Sequence, residues 1–275
     1  MIRPRRFPEG TVEEIEMTDH DRGQLDTSGA EVYESLFVPS LFGRFANPIA
    51  ETARISPTDD VIDVACGTGA LTRAVRARTT GRVVGVDINP AMIAVAGRLG
   101  DDIEYVQGDA ASLDFDDDTF EVAVSQFGLM FLDDPSLGIK EMGRVANRGL
   151  VAVWDSIERS DGYLSMQKLF RSELGKEAAS SLDAPFAMGS VGVLESLFDA
   201  ADVEHVEFIS IEGTGRFESI SQWVTTEVRG WTLGDSISDA QLAHLTEKAE
   251  SHLAQFATDD GVVFGMTTKV ATWKS

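Results

Sequence analysis

The chain has 275 residues, enough for one large domain with a substantial core, and carries 46 acidic against 23 basic side chains, a formal net charge of −23. That charge repels polyphosphate partners and argues against nucleic acid, and no apolar run approaches the roughly 18 residues of a membrane span. A single cysteine, Cys66, excludes an internal disulfide and an all-cysteine metal site, and His20, His205, His244 and His252 show no ligand spacing, so no metal is expected.

Residues 1–28 are polar and mixed in charge. They open with the basic residues of a secretory signal but lack its apolar stretch, so a flexible arm on a cytoplasmic protein is expected. From Gly29 onward, Val32, Leu36, Phe37, Leu41, Phe42, Phe45 and Ile49 recur at helical intervals, which predicts two short helices with Pro39 in the first turn of the second. Strand-like runs at 61–65, 82–86, 103–107, 121–126 and 149–154 then alternate with helix-like segments at about 70–79, 90–99 and 135–146. Repeated strand-then-helix units predict a parallel sheet covered on both faces.

Beyond Trp154 the rhythm loosens. GYLSMQKLFRSELG (162–175) and VGVLESLFDAA (191–201) read as helices and EHVEFISIEGTGRF (204–217) as a strand. SISQWVTTEVRGW (219–231) and DAQLAHLTEKAESHLAQFA (239–257) read as further helices before a closing strand, VVFGMTTKVATW (262–273). The expected organisation is one domain over 29–275, with lid insertions at about 156–190 and 218–258.

Three motifs fall at successive strand ends. VIDVACGTGALT (61–72) runs from a strand through Gly67 and Gly69 into a helix, a turn that lets a ligand approach the backbone and meet helix N-terminal amides. The dinucleotide fingerprint would place a third glycine where Thr72 stands, so the glycines alone leave the ligand open. Asp87, at the end of the next strand, is placed to accept hydrogen bonds from ribose hydroxyls, or simply to cap the helix starting at Pro90. Asp109 follows the third strand, where a carboxylate can meet an adenine amine, or stand in a loop.

At these residues the sequence resembles the class I S-adenosylmethionine-dependent methyltransferases, specifically the group that includes ubiquinone and menaquinone biosynthesis enzymes. VIDVACGTG, VVGVDINPAMI, YVQGDAASLDFDDDTFEVAVSQFGLMFLDD and IKEMGRVANRGLVAVWDS carry the likeness, which is good over about 30–160 and looser beyond. The resemblance implies a Rossmann-like seven-stranded sheet, mostly parallel with an antiparallel last strand, helices on both faces and a helical lid. It implies S-adenosylmethionine as cofactor and S-adenosylhomocysteine as product. Asp63, Ala65, Gly67 and Gly69 would hold the methionine part, and Asp87 the ribose. Ile88 and Met92 would sandwich the adenine, Asp109 and the Ala110 amide would read its edge, and Gln126 would stand beside the methionine tail. Two departures stand out: Asn147-Arg148-Gly149 where many relatives have Pro-Gly-Gly, and Gln126-Phe127 in place of polar pairs.

The implied reaction is methyl transfer to a small, apolar or aromatic acceptor on oxygen, carbon or nitrogen. Phe127, Met130 and Trp154 follow the fourth and fifth strands and, with Trp223 and Trp231, make the expected pocket apolar. SQFG stands where adenine and amide methylases of the superfamily carry Asn-Pro-Pro-Tyr, and a lone thiol is too few for arsenite methylation. Tyr33, Tyr163 and Asp155 are nearby polar groups, Tyr33 the best placed to close over the cofactor, but no catalytic base is assigned. The alternatives are a nicotinamide-dependent oxidoreductase, which Thr72 and Asp109 disfavour, and a non-catalytic S-adenosylmethionine-binding scaffold or sensor. A monomer or homodimer is expected. The acidic, lysine-poor surface suits an ordinary acidic protein or one adapted to concentrated salt.

Overall fold

A computed structural model describes residues 27–230, 233 and 236–274. Most of the expected N-terminal arm, and Trp231, lie outside the described residues. Thr27 and Ser28, counted in that arm by the sequence reading, belong instead to the first turn of a helix.

Helix α1 (Thr27–Val32) passes without a break into a π-helix (Tyr33–Phe42) and then α2 (Gly43–Thr52). Two helices separated near Pro39 were expected; the chain instead keeps Pro39 inside the π-helical stretch. The wider i→i+5 turn is where a residue without an N–H and with a ring crowding the preceding turn is tolerated. Phe37, Leu41, Phe42, Phe45 and Ile49 all point inward from this segment.

The sheet is built from β1 (Val61–Val64), β2 (Val83–Asp87), β3 (Glu104–Gln107), β4 (Val122–Gln126), β5 (Arg148–Trp154), β6 (Glu207–Phe217) and β8 (Gly261–Lys274), in the order β3-β2-β1-β4-β5-β8-β6. The five strands β1 to β5 pair in parallel, and β8 runs antiparallel to both β5 and β6. An eighth strand, β7 (Ala257–Thr258), is a two-residue addition on β8. The count of seven therefore rises by one, because two residues before the Gly261 turn form a ladder too short to leave a periodic pattern.

Helices α3 (Ala70–Arg76), α4 (Pro90–Leu99) and α5 (Pro135–Val145) start at the expected residues, and α3 ends three residues earlier than expected. Asn89 and Asp134 cap α4 and α5, each side chain accepting from a backbone N–H two residues on, with proline at the first helical position. Strands β1, β4 and β5 are almost wholly buried because helices cover both faces. One face packs on the Phe45, Ile49, Leu150 and Phe170 cluster, the other on Ile62, Phe120, Ile139 and Met142.

After β5 come α6 (Asp161–Glu173), α7 (Lys176–Ser181) and α8 (Val193–Ala200), and after β6 come α9 (Ile220–Arg229) and α10 (Asp239–His252). Trp223, Val224, Leu245 and Ala249 of α9 and α10 join the same core as Met166 and Phe170 of α6. None of the described helices is long and apolar enough to cross a membrane.

Candidate functional site

The parallel strands end together on one edge, and the site grows from the turn after β1. Ala65 and Gly67 both take φ +56°, and Gly69 takes φ +84° as the residue before α3. A side chain on Gly69 would come within 2.4 Å of the Tyr105 hydroxyl, whereas one on Gly67 would meet only the Tyr33 ring at 3.9 Å. Gly69 is thus required by close packing, and Gly67 keeps the face of the turn open beneath Tyr33.

Asp63 is 1% exposed, and its Oδ2 accepts from the Thr72 hydroxyl at 2.6 Å. Its Oδ1 is buried without a partner. Burial, and then the negative charge of Asp87, pushes its carboxyl up to about 7 against the Thr72 hydrogen bond. Thr72, which breaks the dinucleotide pattern, therefore has a positive role as the hydroxyl that orients Asp63.

Asp87 accepts from the Gly67 amide at 2.8 Å and from the Asn89 amide at 2.9 Å. It braces the glycine turn from the neighbouring strand, and the capping of α4 falls to Asn89 rather than to Asp87. Burial raises its pKa, and those two amides oppose the rise. Ile88 beside it is half exposed, while Met92 packs with Ala30 and Val95 under Tyr33. Of the two residues expected to flank one ring, Ile88 is therefore half exposed and Met92 is buried. Asp109 is exposed and accepts from the Ala111 amide at 2.8 Å, and Ala110 is buried.

Gln126 donates from Nε2 to the Phe42 carbonyl at 2.9 Å, and its Oε1 is buried without a partner. Phe127 takes φ +56°, an uncommon conformation for an aromatic residue, and lays its ring on Trp154 with centroids 3.7 Å apart. Phe42 and Phe45 close on the same pair, so Phe127 and Trp154 form one aromatic wall; Met130 is partly buried and packs against the cores on both faces.

Tyr33 stacks on Phe42 at 5.1 Å, and burial raises its hydroxyl pKa with Asp87, Glu34, Cys66 and Asp63 adding to the rise. Its neighbour Glu34 accepts from the Thr68 hydroxyl and from Arg73 at 2.9 Å. The π-helix is tied by these bonds directly to the glycine turn. Sequence reasoning missed Glu34, which looks like any exposed helical acid, and Tyr105, whose hydroxyl is buried without a partner across Gly69, Gly85 and Gly100. A third omission is Glu227, buried on α9 and accepting from the Tyr163 hydroxyl at 2.6 Å. Its signal was present: Glu227 lies four residues after Trp223, on the apolar stripe of its helix.

The two unpartnered acceptors, Asp63 Oδ1 and Gln126 Oε1, sit at the carboxyl ends of adjacent strands beside an open glycine turn. Buried acceptors without donors suit a cationic, hydrogen-bonding group such as an α-ammonium. Among the described residues no cluster of three or more His, Cys, Asp or Glu is placed to hold a metal.

The strand order defines a Rossmann-like fold. Residues 62–153 match the family of the methyltransferase domain. The demethylmenaquinone methyltransferase of Staphylococcus carnosus is 30% identical over 187 residues, covering 60% of this chain and 76% of that one. That of Chlorobaculum tepidum is 36% identical over 89 residues, a match spanning 32% of this chain and only 37% of that enzyme's length. A Haemonchus contortus phosphoethanolamine N-methyltransferase, solved with S-adenosylhomocysteine, shares the fold with a TM-score of 0.57 at 17% identity, covering 92% of this chain and 58% of that one. The chain belongs to the class I S-adenosylmethionine-dependent methyltransferases, in the group of the ubiquinone and menaquinone biosynthesis methyltransferases.

Proposed function

We propose that the protein transfers a methyl group from S-adenosylmethionine to a small apolar or aromatic acceptor, and that the names of its relatives point to quinone-related molecules as the first to try. The observation that carries this reading is the pair of buried, donor-seeking oxygens on Asp63 and Gln126 beside the Gly67 turn. When bound, the cofactor supplies a methyl on a positively charged sulfur, whose bond to carbon breaks with its electrons passing to sulfur. The residues then have positioning roles. Asp63 and Gln126 would accept from the ammonium group and Asp87 from the ribose hydroxyls, while Asp109 with the Ala110 amide would read the edge of an adenine flanked by Ile88 and Met92. The Phe127–Trp154 wall excludes water and limits the acceptor's approach; alignment alone is worth on the order of 7–11 kcal/mol in favourable cases.

A non-catalytic binding protein is the second reading, and one observation favours it. The cavity bounded by Phe42, Trp154, Tyr163, Phe186, Glu227 and Met266 measures about 20 Å³, the space of roughly one water. Under the catalytic reading, α7 and the turn at 184–189 act as a lid that swings outward to admit the acceptor. A thermal-shift panel separates the readings from each other and from a dehydrogenase. Stabilisation by S-adenosylhomocysteine and not by NAD or NADP is expected, with Asp87→Ala binding it at least tenfold more weakly while still folding. Stabilisation by a dinucleotide alone overturns the assignment, and binding without turnover of any quinol or phenol tested favours the scaffold.

A further inference from the structure

Glu227 is a buried acid on α9, away from the glycine turn. Glu227 is 4% exposed and Tyr163 is 5% exposed, and both line the small apolar cavity behind the Phe42 and Trp154 rings. The Tyr163 hydroxyl donates to Glu227 Oε1 at 2.6 Å, and the Tyr163 ring is held edge-on by Trp223 and Phe264. The other described residues that line the cavity are apolar, from Phe37 and Leu41 of the π-helix to Leu182 and Met266. Trp223, one turn earlier on α9, has a buried indole N–H without a hydrogen-bond partner. Burial pushes the Glu227 carboxyl up to about 7, against the hydrogen bond from Tyr163.

An acid on the buried face of an amphipathic helix, held by one hydroxyl, costs stability that a leucine there would not. Its place at the wall of a cavity, next to the rings that close the strand edge, gives that cost a use. The closed cavity holds about one water, and we propose that, once α7 and the turn at 184–189 swing outward, Glu227, oriented by the Tyr163 hydroxyl, accepts the proton of a hydroxyl-bearing apolar acceptor, a phenol or enol, admitted there. The O–H bond of the acceptor breaks and the proton binds the Glu227 carboxylate, which becomes neutral. The electron pair stays on the acceptor and is available to the methyl carbon; the proton leaves to water when the cavity opens. Proton removal of this kind contributes about 10²–10⁴-fold to rate. The inference rests on the methyl-transfer reading above, and its test is built to fail separately from it.

The test is a fluorescence titration with 1-naphthol, and with naphthalene as the probe lacking a hydroxyl, across neutral pH, with and without S-adenosylhomocysteine. Wild-type protein is expected to bind 1-naphthol at least tenfold more tightly once Glu227 has ionised than below, and naphthalene equally throughout. Glu227→Gln is expected to flatten the 1-naphthol profile, and Tyr163→Phe to move its midpoint to higher pH, because the hydrogen bond that favours the carboxylate is gone. Both variants keep their affinity for S-adenosylhomocysteine. A pH dependence that survives in Glu227→Gln, equal profiles for the two probes, or no binding of 1-naphthol to folded wild-type protein overturns the proposal. Loss of S-adenosylhomocysteine binding in wild-type protein overturns the methyl-transfer reading instead, and leaves the 1-naphthol profile to stand or fall alone.

Discussion

Asp63 shows how one residue's surroundings convert to a measurable pH effect. Its folded pKa of about 7 lies above the ordinary value of 3.8, so between these values the folded chain holds a proton that the unfolded chain has lost. Stability of the ligand-free protein therefore falls as pH rises through that window, by up to about 4 kcal/mol at 1.36 kcal/mol per pH unit. Glu227, raised to about 7 from 4.5, acts in the same direction. Asp63→Asn is expected to flatten its share of the slope in urea denaturation measured from acid to neutral pH, leaving the share of Glu227. An unchanged slope means that Asp63 titrates normally. At this scale the sequence was informative about identity and silent about state. Asp63, Asp87 and Asp109 were placed by their distance from strand ends. The Thr72 hydrogen bond and the burial that shifts the Asp63 titration arise from contacts nine residues away or more.

Among the elements, the helical segment 27–52 diverges most from its reading. Pro39 was taken as punctuation, yet the chain absorbs it in a π-helix, and that register places Tyr33 over Gly67 and Glu34 against Thr68 and Arg73. Such π-helical stretches are found at functional sites more often than elsewhere. Glu34→Gln removes the ion pair with Arg73, which is about three-quarters buried on both sides. Stability is expected to change by no more than about 1 kcal/mol, the range of partly exposed pairs. Amide exchange in residues 33–42 is expected to quicken locally, with S-adenosylhomocysteine restoring protection; exchange spread evenly over the fold, or unchanged, contradicts an anchoring role. The strands and helices of 61–154 were legible because each is a local periodic pattern with its own caps. β7, with two residues, has no period to read, and α7 is a single short helix in a segment rich in small polar side chains.

For the whole molecule the dominant quantity is charge. A net charge of −23 on 275 residues stores self-repulsion that salt screens, with a Debye length falling from about 10 Å at 0.1 M to about 3 Å at 1 M. The melting temperature is expected to rise between those salt concentrations, and more than for a neutral protein of this size; calorimetry showing no rise would falsify the idea of a salt-dependent fold. Sequence alone determined the alternating architecture, the glycine turn and the acids at three strand ends, because helix period, strand period and turn chemistry are local properties of the chain. Only the tertiary structure decided that Asp63 and Gln126 share an unfilled hydrogen-bonding need, that Met92 faces inward while Ile88 stays open, and that Tyr163 meets Glu227 across 64 residues. Those facts depend on which segments the sheet order brings together and on how much water is excluded where they meet, and neither is written in any one stretch of sequence.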